Sequence, residues 1–87
     1  MIINKKIVGA KLLSYLQHKI NLNELVNWAE STIMKADFEN KEAKILREVL
    51  GKLGVADVKM FGLTWDDCEK LMRKLGYKIK IEASLAA

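Results

Sequence analysis

The stretch LTWDDCEKLMRKLGYKIKIE, residues 63–82, contains a helix with its own start and stop signals. Thr64 is typical of an N-cap, and Asp67 three residues later forms an acidic variant of the capping box. Gly76 favours the left-handed turn that often ends a helix, because glycine has no Cβ to clash in that conformation. The pattern therefore predicts a helix over residues 63–76.

The residues after this helix alternate in polarity as a β-strand does. Apolar side chains stand at positions 77, 79 and 81, and charged ones stand at 78, 80 and 82. This alternation predicts a short strand over residues 77–82. A single strand leaves its backbone groups unpaired, so it needs a partner. We expect it to pair with its two-fold mate in a homodimer. The alternative is a pair within the chain, with Ile2 and Ile3.

Three further helices precede this segment, each with apolar residues at helical spacing. They are predicted over residues 5–19, from residue 22 to the linker at 37–40, and over residues 41–53. Their starts are marked by Asn4, by Asn21 with Glu24 as a capping box, and by Asn40. Residues 55–61 carry apolar side chains at three-residue spacing, which predicts a short helical turn.

These elements predict a mainly α fold: a compact bundle of about four helices plus a short helical turn, with one short C-terminal β-strand. Residues 1–82 should form a single helical domain, and residues 83–87 a flexible C-terminal tail.

Particular positions carry expectations about packing. Gly9 lies on the apolar stripe of the first helix, where a glycine costs about 1 kcal/mol relative to alanine, so we expect a second helix to approach closely there. The apolar face of the second helix should include Ile33. Trp28 lies at the rim of that face and Met34 nearly opposite it. Both are candidates for an exposed contact patch, and the alternative is that neighbouring segments cover them.

The composition is that of an ordinary, slightly basic globular domain. The chain has 87 residues, of which 51% are hydrophobic and 30% charged, and its net charge is +4. No apolar stretch is long enough to span a membrane, and the first residues do not resemble a signal peptide. The single cysteine, Cys68, cannot form an internal disulfide. We therefore expect a cytoplasmic protein.

Few residues are suited to catalysis or metal binding. His18 falls on the polar side of the first helix, which predicts a solvated surface histidine. Cys68 lies on an apolar helical face, which predicts a buried thiol that packs as a small hydrophobe. Asp66, Asp67 and Glu69 lie in the first turns of a helix, where carboxylates interact favourably with the helix dipole. The sequence thus predicts no catalytic residue, no metal site, no cofactor and no enzyme.

The basic residues between 70 and 80 suggest an alternative function, nucleic-acid binding, because this segment lacks acids and could follow a phosphate backbone. The candidate contacts are Lys70, Arg73, Lys74, Lys78 and Lys80. However, the acidic start of the fourth helix would repel phosphates, and the connection before it is longer than in a helix-turn-helix. The same bases could instead complement the helix end and protect an edge strand from aggregation.

Protein binding is the function that these observations favour. We expect a small non-enzymatic protein-interaction module, which either self-associates or acts as a regulatory or immunity-type partner of another protein. Neither a membrane nor a small-molecule substrate is indicated. The candidate interface residues are Trp28, Met34, Tyr77, Ile79 and Ile81.

Overall fold

The computed structural model describes residues 2–35, 37–38, 41–57 and 62–79. The elements follow in the order β1 (Ile2–Ile3), α1 (Lys5–Leu16), α2 (Leu22–Lys35), β2 (Asp37–Phe38), α3 (Ala43–Gly54) and α4 (Trp65–Lys74). The predicted fold class, a mainly α bundle of four helices, is confirmed. The predicted tail, residues 83–87, lies outside the described residues.

Side-chain caps begin three of the four helices, as predicted. Asn4 accepts a hydrogen bond from a backbone N–H in the first turn of α1. The backbone N–H of Glu24 donates to Oδ1 of Asn21 at 2.8 Å. At the start of α4, Thr64 and Asp67 each accept a hydrogen bond from the backbone N–H of the other, at 3.1 Å in both directions. These caps satisfy N–H groups that have no partner within the helix.

The start of α3 differs from the prediction. The helix begins at Ala43 rather than at residue 41, and Glu42 at the N-cap makes no side-chain capping bond. Lys41 and Glu42 form a turn instead. Asn40, the predicted cap, lies outside the described residues.

The short helical turn predicted over residues 55–61 is described only in part. Residues 55–57 form a turn after α3, and residues 58–61 lie outside the described residues.

A Schellman motif ends α4 as the glycine predicts. The N–H of Gly76 donates to the carbonyl oxygen of Arg73, and that of Tyr77 donates to the carbonyl oxygen of Met72, both at 2.9 Å. Gly76 has a φ of +89°, in the left-handed region that the motif requires. The motif thus satisfies carbonyl groups at the helix end and directs the chain toward α1.

A second motif of this kind ends α1 at Leu16, earlier than predicted. The N–H of Lys19 donates to the carbonyl oxygen of Ser14 at 2.9 Å, and that of His18 to the carbonyl oxygen of Tyr15 at 3.1 Å. His18 takes the left-handed position, with a φ of +61°. No glycine marks this helix end in the sequence, so the prediction from apolar periodicity alone is too long by three residues.

A parallel pair of strands forms where the sequence predicts a different partner. Ile2 lies opposite Asp37 and Ile3 opposite Phe38, and not opposite residues 77–79, so the alternative pairing within the chain is wrong for that part of the predicted strand. Residues 77–79 have no regular secondary structure. The N–H of Tyr77, which a strand ladder would need, is used in the Schellman motif. Residues 80–82 lie outside the described residues.

The core forms mainly between α2 and α3, and α1 and α4 pack against this pair. Its buried members are Ile3, Val8, Leu12, Leu25, Ala29, Leu46, Val49, Leu50, Leu53, Cys68, Leu71, Met72 and Leu75. One boundary of the predicted face is wrong, since Thr32 is buried whereas Ile33 is exposed. Thr32 lies on the same helical face as Leu25 and Ala29. Ile33 is the next residue along the helix and therefore lies beyond the edge of that face.

Close approach at Gly9 involves a side chain and not the predicted second helix. A Cβ built on Gly9 would lie 2.6 Å from Cε2 of Tyr77. The aromatic ring therefore packs directly on the backbone of α1, and only glycine leaves room for it there.

Candidate protein-interaction surfaces

Cys68 and His18 line the same cavity, of about 250 Å³, between α1 and α4. Cys68 is buried, as predicted. Burial raises the pKa of its thiol to about 11, and the charge of Asp67 adds to this effect. A thiol that stays protonated at neutral pH is a poor nucleophile. His18 is exposed, as predicted, although it lies on the turn after α1 and not on the helix. The pair therefore does not resemble an activated nucleophile with its base.

Two of the acidic residues at the start of α4, Asp67 and Glu69, have structural partners. The backbone N–H of Thr64 donates to the carboxylate of Asp67, and this hydrogen bond is the main cause that lowers the pKa of Asp67. Glu69 accepts a hydrogen bond from Nη2 of Arg73 at 2.8 Å. Among residues 2–35, 37–38, 41–57 and 62–79, no three metal-ligating side chains converge on one point. These carboxylates therefore serve helix capping and an ion pair.

Part of the basic segment faces a cleft between α3 and α4. This cleft, of about 400 Å³, is lined by Glu48, Lys52, Asp67, Lys70, Leu71 and Lys74. Nζ of Lys74 lies 3.3 Å from Oε2 of Glu48. Two carboxylates thus stand among three ammonium groups, so the cleft is only weakly positive. Lys78 is exposed, and Lys80 lies outside the described residues.

Trp28 and Met34 have different surroundings, although both were candidates for an exposed patch. Trp28 is half-buried and packs against the core. Nζ of Lys11, on α1, lies 5.6 Å from the centroid of its ring, within reach of a cation–π interaction. Met34 is 79% exposed. Trp28 is therefore partly covered by α1, whereas Met34 is available to a partner.

The sequence gives no signal for a second exposed apolar residue near Met34. Ile2 is 62% exposed, and it pairs with Asp37, three residues after Met34 along the chain. Ile3, its neighbour in β1, is fully buried. The alternation in β1 could have placed one isoleucine outside, but the strand has only two residues and its partner was not predicted.

Two of the C-terminal candidates, Tyr77 and Ile79, contact other parts of the chain. Tyr77 packs on Gly9 and is 39% exposed. Ile79 is half-buried against the core, and Ile81 lies outside the described residues. The first two are therefore partly committed to contacts within the chain.

Tyr77 also forms one wall of an apolar groove on the outer face of α1. The groove, of about 200 Å³, is lined by Lys6, Gly9, Ala10, Leu13, Met72 and Tyr77. Leu13 is 41% exposed, whereas Met72 is buried and forms the floor. Sequence reasoning did not find this groove, because its walls come from segments about 60 residues apart that Gly76 brings together.

These surfaces have no counterpart to guide their interpretation: comparisons with protein-family models, with curated proteins and with solved structures find no match.

Proposed function

We propose that this chain is a small non-enzymatic module that binds another protein, either a second copy of itself or a partner that it regulates or neutralises in the manner of an immunity protein. The exposure of Met34 and Ile2, at 79% and 62%, is the observation that carries this proposal. Burying an apolar side chain of this size contributes about 1.5–3 kcal/mol, so a partner that covers both would gain appreciable affinity.

The surroundings of these side chains support the proposal. β1 and β2 form a two-stranded sheet among the described residues, and a sheet edge can pair with a strand of another molecule. Ile2 stands on β1, and Met34 precedes β2 at the end of α2. A partner strand added beside β1 would lie next to Ile2, whose pairing partner Asp37 follows Met34 by three residues.

The test compares two lysine substitutions on α2 by sedimentation of the purified chain over a wide concentration range and by co-purification from its native cells. If the chain self-associates, Met34→Lys should make it monomeric. If a partner protein co-purifies in stoichiometric amount, Met34→Lys should abolish that co-purification. Asn27→Lys, which adds the same charge at another exposed position of α2, should leave either one intact. Lysine near a helix C-terminus is compatible with the helix dipole, so Met34→Lys should fold. A wild-type chain that stays monomeric and purifies alone would contradict the proposal.

Nucleic-acid binding is the second candidate function, and one observation favours it. Lys70 and Lys74 line one cleft with Lys52, which gathers three cations where a phosphate could lie. The ion pair between Lys74 and Glu48 weakens this possibility. Binding to phosphates should fall steeply with added salt, and Lys52→Ala with Lys70→Ala should reduce that dependence. Nucleic-acid binding whose affinity does not change with salt would contradict a phosphate site in this cleft.

We propose a cytoplasmic setting for either function. In the part of the chain that the structure describes, no helix is long and apolar enough to cross a bilayer. The free thiol of Cys68 is compatible with a reducing compartment.

A further inference from the structure

We propose that the groove between α1 and the segment after α4 binds a helix of another protein, and that this helix presents apolar and acidic side chains. The proposal rests on the proposed protein-binding function and adds a second surface, separate from the one around Met34, together with the chemistry of its partner.

The size and lining of the groove suit an apolar anchor. Leu13 and Tyr77 are 41% and 39% exposed and stand on either side of buried Met72. A volume of about 200 Å³ is smaller than the roughly 300 Å³ at which small-molecule sites usually begin. One large apolar side chain would fill it and would be desolvated there, as the central residue of a protein interface is.

The spacing along α1 indicates that the occupant is helical. Lys6, Ala10, Leu13 and Gln17 recur at intervals of three or four residues and are all exposed, so they form one continuous face of the helix. The middle of this face is small, since exposed Ala10 lies between Lys6 and Leu13. A partner helix can approach closely at that point and place an apolar side chain between Leu13 and Tyr77.

The charge of this face selects the kind of partner. No acid occurs among the first 23 residues; of the lysines on α1, Lys6 lies on this face, whereas Lys11 lies over the ring of Trp28. Lys6 lines the groove, and Lys78 follows Tyr77 and is exposed. A second copy would bring its own cationic α1 against this one, which like-charge repulsion disfavours. An acidic helix would instead be attracted to the rim while its apolar residues enter the groove.

The experiment uses a synthetic peptide of about 15 residues, since shorter helices are marginal in water. Leucines occupy one helical face, glutamates flank it, and a matched peptide carries lysine in place of every glutamate. Each is titrated into the ¹⁵N-labelled full chain, and amide shifts are followed by NMR. The glutamate peptide should shift the amides of Gly9, Ala10, Leu13 and Tyr77, and the lysine peptide should not.

Variants locate the binding surface. Leu13→Glu should weaken binding of the glutamate peptide by about tenfold or more. Ala10→Gln keeps the helix and the net charge but fills the point of closest approach, and it should also weaken binding. Lys44→Glu, an exposed change on α3, should have little effect beyond that of net charge.

Three results would overturn the groove. They are equal binding of the lysine peptide, amide shifts confined to other surfaces, and unchanged affinity in both Leu13→Glu and Ala10→Gln. Failure of the proposed protein-binding function is a distinct outcome, because the sedimentation and co-purification of Met34→Lys test it, and the peptide titrations do not. Peptide titrations that fail in one of these three ways, together with an association that Met34→Lys abolishes, would disprove the groove and leave the protein-binding function standing.

Discussion

Replacement of Gly9 by alanine should have opposite effects in the presence and absence of Tyr77. In the native chain the new Cβ would lie 2.6 Å from Cε2 and 3.1 Å from Cδ2 of the ring. Unstrained carbon contacts lie at about 3.5–4.0 Å, so the ring must move by about 1 Å or leave its site. Such overpacking typically costs about 1–3 kcal/mol.

Helix propensity acts in the other direction, because alanine is favoured over glycine within a helix by about 1 kcal/mol. We therefore expect Gly9→Ala to lower the free energy of unfolding by up to about 2 kcal/mol in the native background. In the Tyr77→Ala background, where no ring opposes the Cβ, the same change should raise it by about 1 kcal/mol. The coupling free energy should thus be about 1–3 kcal/mol.

Urea unfolding of the two single variants, the double variant and the native chain measures this coupling. Gly51→Ala is a matched control, because a Cβ at this position of α3 would meet nothing within 4 Å. It should stabilise both backgrounds by the same amount, about 1 kcal/mol. If Gly9→Ala stabilises both backgrounds equally as well, Tyr77 does not pack on α1 and the groove has no such wall.

Four further predictions concern particular residues. Cys68 should react slowly with thiol reagents in the folded chain, and fast labelling would show it exposed. Its pKa is raised from 9.0 to about 11, so the stability of the native chain relative to Cys68→Ala should be constant below pH 9 and fall between those two values. Thr64→Ala should destabilise the chain by about 1 kcal/mol through loss of the cap, as thermal melting would show, and an unchanged melting temperature would argue against it. The pKa of Asp67 is lowered, so its stabilising contribution should be lost as pH falls below the usual aspartate range, which acid titration of Asp67→Ala would test. Finally, His18→Gly should stabilise and Gly76→Ala destabilise, each by about 1 kcal/mol, because both positions have positive φ. Unfolding shifts of the same sign would refute this.

Local signals in the sequence predicted the helices well. The capping boxes at Asn21 and Thr64 and the glycine stop at Gly76 each involve residues within a few positions of one another, so the chain itself displays them. The early end of α1 was missed, because His18 takes a conformation that glycine usually marks, and α3 begins at Ala43 without the predicted cap.

Contacts between distant segments could not be predicted in this way. The pairing of β1 with β2 depends on how α1 and α2 pack and bring residues 2–3 beside residues 37–38. In addition, a strand of two residues is too short to show a detectable alternation. For the same reason Gly9 was expected to meet a helix, whereas it meets the ring of Tyr77.

The same difference between local signals and contacts of distant segments applies to the candidate surfaces. The exposure of Met34 follows from its place on one helix, and the sequence marked it as a candidate, with cover by neighbouring segments as the alternative. The partial cover over Trp28 and the ion pair of Lys74 with Glu48 come from neighbouring helices, so helical periodicity alone did not indicate them.

The β1–β2 pair also constrains the order in which the chain folds. Ile2 pairs with Asp37, so this contact closes a loop of about 35 residues, at an entropic cost near 3 kcal/mol. A two-residue ladder forms few hydrogen bonds, each with a net contribution of about 1 kcal/mol. The strands can therefore meet only after α1 and α2 have packed and brought their ends together. Substitutions at Ile2 should consequently speed unfolding and leave the folding rate almost unchanged, because the strand pair would then be absent from the transition state for folding.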